Sequence, residues 1–548
     1  MSNPVDRRHR DTHADTSSIE QRLARLLDTP LLARVVPHLP PETLHQLIRH
    51  RGLEACGALV IAATPAQLTS VLDLELWPSP QPGRDEQFDA DRFGEWLEML
   101  AEAREAVAAR TVAGIDADLV VAGLSRYVRA FDPGTFLPTV SSDELPPDFE
   151  LPPFDGLECE IGGYTIRATR DEAWDAIVTL LAALDADQPD CFHAVMQGCR
   201  RLSNSTPEID GLDDLLTTPE QQLHDVAIER EQRRSQRGYS TPADARAFLQ
   251  MARQRRHQAL DEASSVNPIA AAYFRAAADA EASTEEEAGQ GRPAPESATD
   301  ADASEALPAV LDLLAEAGFV PGRPRALLES APGEPSRLTP LRALLASIHD
   351  ADQAAFARRN RELAFLANTL VAGGSLQSRA FTPAEASDAA AGICNLGLEQ
   401  WRAPLPERFL VDHDLVTAFE TGWAVLHEEV TVFVAAELIA VLDDLRHADA
   451  GIQRGLDALR RELIRQRDAG TPWRARQALD VIATLDMPAW AGLLGLLDEC
   501  PVLPLAVTAT LEKRTRAFSP TAFEFITTGS QIHQVKDFMT ALPDLLVR

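Results

Sequence analysis

Lysine is almost missing from this chain. Lys513 and Lys536 are the only two in 548 residues, so nearly all positive charge is arginine. The bland cause is a GC-rich genome, which favours Arg, Ala and Pro codons, and no function is read from it. Cations of any kind are outnumbered: 51 Lys plus Arg stand against 84 Asp plus Glu, for a net charge of −33. Phosphate neutralisation needs clustered cations, so a general nucleic-acid binder is excluded. Long apolar runs are missing too. Ala55–Ala63 is too short to span a bilayer, Val430–Leu442 contains Glu437, and Trp490–Leu511 is broken by Asp498, Glu499, Pro501 and Pro504. No membrane insertion is expected. No apolar segment follows Arg7 and Arg8, so a secretory or twin-arginine signal is not expected either. Six scattered cysteines without a CxxC pair form no disulfide framework, which points to buried reduced thiols and the cytoplasm.

The common catalytic signatures are also missing. The chain has no P-loop, no GxGxxG, no GxSxG and no HExxH. Only Glu42 and His45 have the ExxH spacing of a di-iron bundle, which needs two such pairs.

What is there is helical periodicity. Pro41–Ile48 reads PETLHQLI and Pro65–Leu72 reads PAQLTSVL. Aligning the prolines superposes Leu44 on Leu68, Leu47 on Val71 and Ile48 on Leu72, one face of a helix repeated. Four helix starts share one phrase: Thr64-Pro65, Thr218-Pro219, Thr241-Pro242 and Thr382-Pro383. Threonine caps an orphan N–H, proline fits the first helical position, and Gln or Glu three residues after the threonine completes a capping box. The strand signal is confined to residues 157–168, where Gly162-Gly163 reads as a two-residue hairpin turn. That turn pairs Ile161 with Tyr164, Cys159 with Ile166 and Leu157 with Ala168, putting the apolar side chains on one face.

The expected fold is mainly α. A disordered tail (1–18) precedes a helical-repeat domain (19–137) and a Pro-rich acidic loop (138–156). A hairpin plus central helical domain (157–278) comes next, then a disordered acidic linker (279–306) with nine acids and one base, and a C-terminal helical domain (307–548). Amphipathic helices are expected near Arg359–Val371, Pro383–Ile393, Asp414–Arg446, Gly455–Arg467 and Arg474–Leu485.

Two constellations bear on function. His193, followed 31 residues later by His224-Asp225, resembles the H…HD arrangement of HD-type metal-dependent phosphohydrolases, in which imidazoles and carboxylates hold a divalent metal that activates water. That resemblance implies a metal site at His193, His224 and Asp225, against surface or helix-end histidines as the plain reading. Cys191 and Cys199 read as one amphipathic helix face rather than zinc ligands. The other constellation is charge. Residues 230–257 hold eight arginines and only two acids, an island of +6, and residues 454–476 form a second of +4. Arg230, Arg233, Arg234, Arg237, Arg253, Arg255 and Arg256 are candidate contacts for an acidic protein partner. Aromatics interleave poorly there, which disfavours nucleic acid.

Leu39–Trp77, Cys191–Leu202 with Arg234–Phe248, and Leu363–Glu399 ending in CNLGLE resemble an uncharacterised bacterial family. Its N-terminus is similar to the helical repeats of MgtE-type magnesium transporter N-terminal domains. The sensor domain and membrane helices of the transporter are lacking, so the resemblance implies no transport, no cofactor and no catalytic residue. The leading expectation is a non-catalytic interaction or regulatory scaffold that needs no cofactor. The alternative is an HD-like phosphohydrolase with a divalent metal.

Overall fold

The four Thr-Pro phrases all start helices. In the computed structural model the threonine hydroxyls of Thr64, Thr218, Thr241 and Thr382 accept from the N–H three residues on, at 3.2, 3.1, 3.0 and 3.2 Å. Gln67 and Glu385 reach back to complete capping boxes. The structure describes residues 34–79, 86–131, 155–204, 218–236, 238–254, 267–276, 338–377, 379–400, 414–446, 449–469, 495–511 and 522–546, with 278, 307, 308, 310, 311, 314 and 493. The expected tail, most of the Pro-rich loop, the acidic linker and the helix at Arg474–Leu485 lie outside these residues. The fold is mainly α, as expected, with two small sheets. No described helix is long and apolar enough to cross a membrane. Contacts divide the chain into two units. One is 1–78, 86–233 and 293–319, and the other is 79–85, 234–292 and 320–548.

The first unit opens on α1 (Pro41–Arg51), α2 (Gly57–Ala62) and α3 (Pro65–Glu75). The superposed positions Leu44, Leu47, Ile48, Leu68, Val71 and Leu72 are all buried, and α1 packs on α3. Gln67 does two jobs. Its Oε1 takes the Thr64 N–H at 2.8 Å, and its Nε2 donates to the Val36 and Leu39 carbonyls at 2.7 Å each, at the end of a 3-10 turn. His45, which had the spacing of a bundle ligand, instead meets Glu75 at 2.7 Å. Burial works to raise the Glu75 carboxyl, but His45 and then Arg92 outweigh it and hold it below its ordinary value.

Helices α4 (Ala90–Ala101), α5 (Glu105–Ala113) and α6 (Ala117–Leu124) follow, leading into strand β1 (Val128–Phe131). Strands β2 (Glu158–Ile161) and β3 (Tyr164–Ala168) form the expected hairpin in the expected register. Gly162 and Gly163 turn at φ +55° and +83°, as a tight hairpin with a primed turn requires. The pairing with β1 was not expected. It places β3 in the centre, in the order β1-β3-β2, with Val128 opposite Ala168 and Ala130 opposite Ile166. Tyr164, Ile166 and Ala168 are therefore buried, whereas on the edge strand Cys159 is half-buried and Leu157, just before it, is exposed. Helix α7 (Trp174–Asp187) packs on α4 and α5. Helix α8 (Pro189–Asn204) packs on α6 and β1. Helix α9 (Pro219–Gln236) carries the start of the Arg-rich stretch.

In the second unit, α10 (Pro242–Gln254) packs on α12 (Gln353–Gly373), which α11 (Thr339–Ala351) precedes. Phe248 lies 5.5 Å from Phe365 and 5.9 Å from Phe419, ring centre to ring centre. Helix α13 (Pro383–Glu399) crosses α14 (Leu415–Val425) closely. A Cβ on Gly397 would stand 1.8 Å from the Ala418 carbonyl oxygen, and one on Gly422 would stand 2.0 Å from that of Ile393. The phrase CNLGLE is thus structural. Asn395, fully buried, accepts from Leu341 N at 3.1 Å and donates to the Thr527 carbonyl at 2.9 Å. Helix α14 continues through a π-helical turn (Leu426–Val432) into α15 (Phe433–Asp444), and α16 (Ala450–Ala469) packs on α15. Strands β4 (Val502–Pro504) and β5 (Phe523–Phe525) pair antiparallel, with α17 (Leu505–Leu511) after β4 and α18 (Gly529–Leu546) after β5.

Candidate functional site

The arginines expected to meet a partner are largely engaged within the fold. Arg230 is 3% exposed. Its Nε donates to the Asp73 carbonyl at 2.6 Å, its guanidinium pairs with Glu86 at 2.7 Å, and it covers the Trp77 ring at 5.2 Å. Arg233 forks onto Asp73 through Nε and Nη2, at 3.0 and 2.8 Å, and reaches Asp116 at 3.2 Å. Arg234 is buried over the Tyr239 ring. Arg253 stands 3.7 Å from Glu499, both with under a tenth of the side chain exposed. Arg237, Arg255 and Arg256 lie outside the described residues. The physical reason is long-range pairing: the acids that hold Arg233 come from α3 and from the N-cap of α6, and the one that holds Arg230 comes from the segment before α4.

His193, His224 and Asp225 are all exposed, the first on α8 and the others on α9. The His193 ring lies against Phe192 and Tyr164. Among the described residues, ligand atoms of three such groups come within 4.8 Å only at Asp116, Asp118 and Glu229, so the expected set is not brought together. Those three acids already have work, Glu229 lying 3.8 Å from Arg233. Asp116 caps α6 and takes Arg233, and Asp118 takes Gln222 at 3.1 Å. Cys191 is half-buried and Cys199 buried, and burial pushes the Cys199 thiol up to about 12, the behaviour of a packing residue.

The second unit holds a buried polar cluster of which the sequence pointed only to His427, as a core or interface histidine on a long helix. Asp498 accepts from the N–H of Gln377, a left-handed residue at φ +51°, and from Glu499 N at 2.9 Å. Burial, with Glu499 beside it, pushes the Asp498 carboxyl up to about 7 against the two N–H donors and Arg379. His427, in the π-helical turn, goes the other way: burial and then Arg253 push it down to about 4.

The first unit carries a groove of about 660 Å³ that sequence reasoning missed. Glu98 and Glu102 come from the last turn and C-cap of α4, while Asp171 and Asp175 flank the start of α7. All four carboxylates are exposed. Leu157, 41% exposed, and the half-buried Trp174 add apolar surface, with three alanines between. One of these, Ala173, sits at φ +58°, where a side chain costs about 1 kcal/mol. No cationic side chain among the described residues pairs with any of the four acids.

Residues 2–208 match the model of a family of unknown function, DUF6178. Nothing matched among curated proteins or among solved structures. Of the stretches that resembled an uncharacterised family, Leu39–Trp77 and Cys191–Leu202 fall inside the match, whereas Arg234–Phe248 and Leu363–Glu399 lie beyond it. The groove falls wholly within the matched residues. Helix α9, with Arg230 and Arg233, does not.

Proposed function

We propose that this chain is a non-catalytic, cytoplasmic interaction scaffold whose docking site is the groove of the first unit. One observation carries the reading: the exposed carboxylates of Glu98, Glu102, Asp171 and Asp175, which pair with no cation among the described residues, surround the partly exposed apolar surface of Leu157 and Trp174. Acid–base chemistry with carboxylates relies on environments that push their proton affinities apart, usually by drying one of them. Four solvated acids suit recognition instead, with an apolar anchor at the centre and a polar rim. The paired repeats at α1 and α3 support a helical scaffold in the manner of the transporter-like repeats. Six free thiols, four of them buried, suit a reducing compartment.

The test is site-specific photo-crosslinking in the native host. A crosslinker replacing Leu157 is compared with one replacing Ile228, which is 45% exposed on α9. The scaffold reading expects an adduct at Leu157 that disappears when Glu98 and Asp175 are both changed to Lys. Equal crosslinking at both positions, or an adduct indifferent to the charge reversals, overturns it.

A further inference from the structure

We infer that the groove takes a basic amphipathic polypeptide segment, arginine- or lysine-bearing with an apolar side chain between the charges. The inference rests on the docking reading above and gives its occupant. Some exposed acids of the same unit have arginine partners: Asp91 meets Arg170 at 2.7 Å, Glu158 meets Arg167 at 2.5 Å and Glu220 meets Arg126 at 3.4 Å. Others, such as Glu54 and Asp190, pair with no cation among the described residues, but they do not line a groove. Among the described residues the four groove acids have no cationic partner.

Two of the four also sit where a helix least tolerates them. Glu98 and Glu102 occupy the C-terminal end of α4, whose last turn holds no basic residue. Free carbonyls already make that end negative, so added carboxylates are unfavourable until a cation arrives. A single metal ion does not answer this. No three of the groove acids bring ligand atoms within 4.8 Å of one another, so the charges they attract must be spaced along a chain. Nor does a bare polycation, because Leu157 offers it nothing. An aliphatic side chain covers Leu157, and an arginine laid on the Trp174 ring gains a cation–π contact. A cleft of this volume is of ligand size, roughly 300–1,000 Å³.

The probe is a short fluorescein-labelled peptide of alternating arginine and leucine, titrated with the full chain by fluorescence anisotropy. Glu98→Gln with Asp175→Asn is expected to weaken binding about tenfold, as two exposed charges at somewhat under 1 kcal/mol each imply. Glu54→Gln with Asp190→Asn, exposed acids that do not line the groove, is expected to leave binding unchanged. A peptide of alternating arginine and serine is expected to bind several-fold more weakly, and spermine is expected to compete poorly. Circular dichroism checks that each variant is folded. Equal weakening by the control pair, undiminished binding of the serine peptide, efficient competition by spermine, or no binding at all each overturns the inference. If the Leu157 crosslink stays charge-dependent while the peptide fails, the scaffold reading stands and only the basic segment is lost.

Discussion

Asp73 keeps 3% of its side chain in water, and Arg233 is what neutralises it. Arg233→Met strands that carboxylate and is expected to cost about 3 kcal/mol, read as a lower urea midpoint at constant slope. Adding Asp73→Asn is expected to restore much of the loss, because the buried charge goes with its partner. Had Arg233 been free to serve a partner, stability would move by no more than about 0.5 kcal/mol. The sequence displayed the arginines as an island of charge, but partners more than a hundred residues upstream leave no trace in local spacing. The surroundings of Asp498 in the second unit were hidden for the same reason, whereas His427 was read as a core or interface histidine, and the two predict opposing pH dependences. Asp498 has a folded value near 7, above its ordinary one, so its contribution is full below about pH 4 and is lost as pH rises towards 7. His427 has a folded value near 4, below its ordinary one, so its contribution is present above about pH 6.5 and is lost as pH falls towards 4. Relative to the parent, Asp498→Asn is expected to gain stability as pH rises from about 4 to 7, and His427→Gln to lose it as pH rises from about 4 to 6.5. Thermal melts across that range check both signs. Parallel curves for parent and variants would show that neither group is held as the buried geometry implies.

At the scale of elements the sequence was most legible where backbone chemistry is local. A threonine hydroxyl and a Gly-Gly turn act within a few residues, and both the caps and the hairpin register came out as read. Strands β1 and β4 were not visible. Val128–Phe131 is too short to show alternation, and β4 contains Pro504, a residue that argues against a strand except at an edge. The helix crossing at Gly397 and Gly422 lay between the two kinds. Glycines in a helical pattern signal close approach or weakness, and only the partner helix decides. On an exposed helix Gly→Ala gains about 1 kcal/mol. Gly422→Ala is expected to reverse that sign and cost about 1–3 kcal/mol, because the new methyl meets the rigid Ile393 carbonyl rather than a movable side chain. Chemical denaturation followed by tryptophan fluorescence, to which Trp423, buried one residue away, contributes among seven tryptophans, reads the change.

The whole molecule carries −33, and the paucity of lysine turned out to matter less than where the arginines go. In the first unit they brace helices against acids distant in sequence, and the groove gathers four acids that pair with no cation among the described residues. A groove is made by three separate segments, α4, the residue before β2 and the start of α7, so no window of sequence contains it. Its stored repulsion has a measurable consequence. Glu98→Gln with Glu102→Gln removes two like charges from the negative end of α4, so the variant is expected to melt a few degrees higher than the parent at low ionic strength. Salt screens exposed charges over about 10 Å at 0.1 M and 3 Å at 1 M, so the gain is expected to shrink steadily as NaCl is added. The parent itself is expected to gain from salt for the same reason, while the variant gains less. A variant no more stable than the parent at low salt would mean that these carboxylates are already compensated, and would remove the electrostatic ground for a cationic occupant. A gain that salt leaves untouched would assign the effect to helix propensity instead. The predicted pattern, stability rising as the groove loses charge while affinity for a basic segment falls, is the exchange expected when a fold keeps unfavourable charge for recognition.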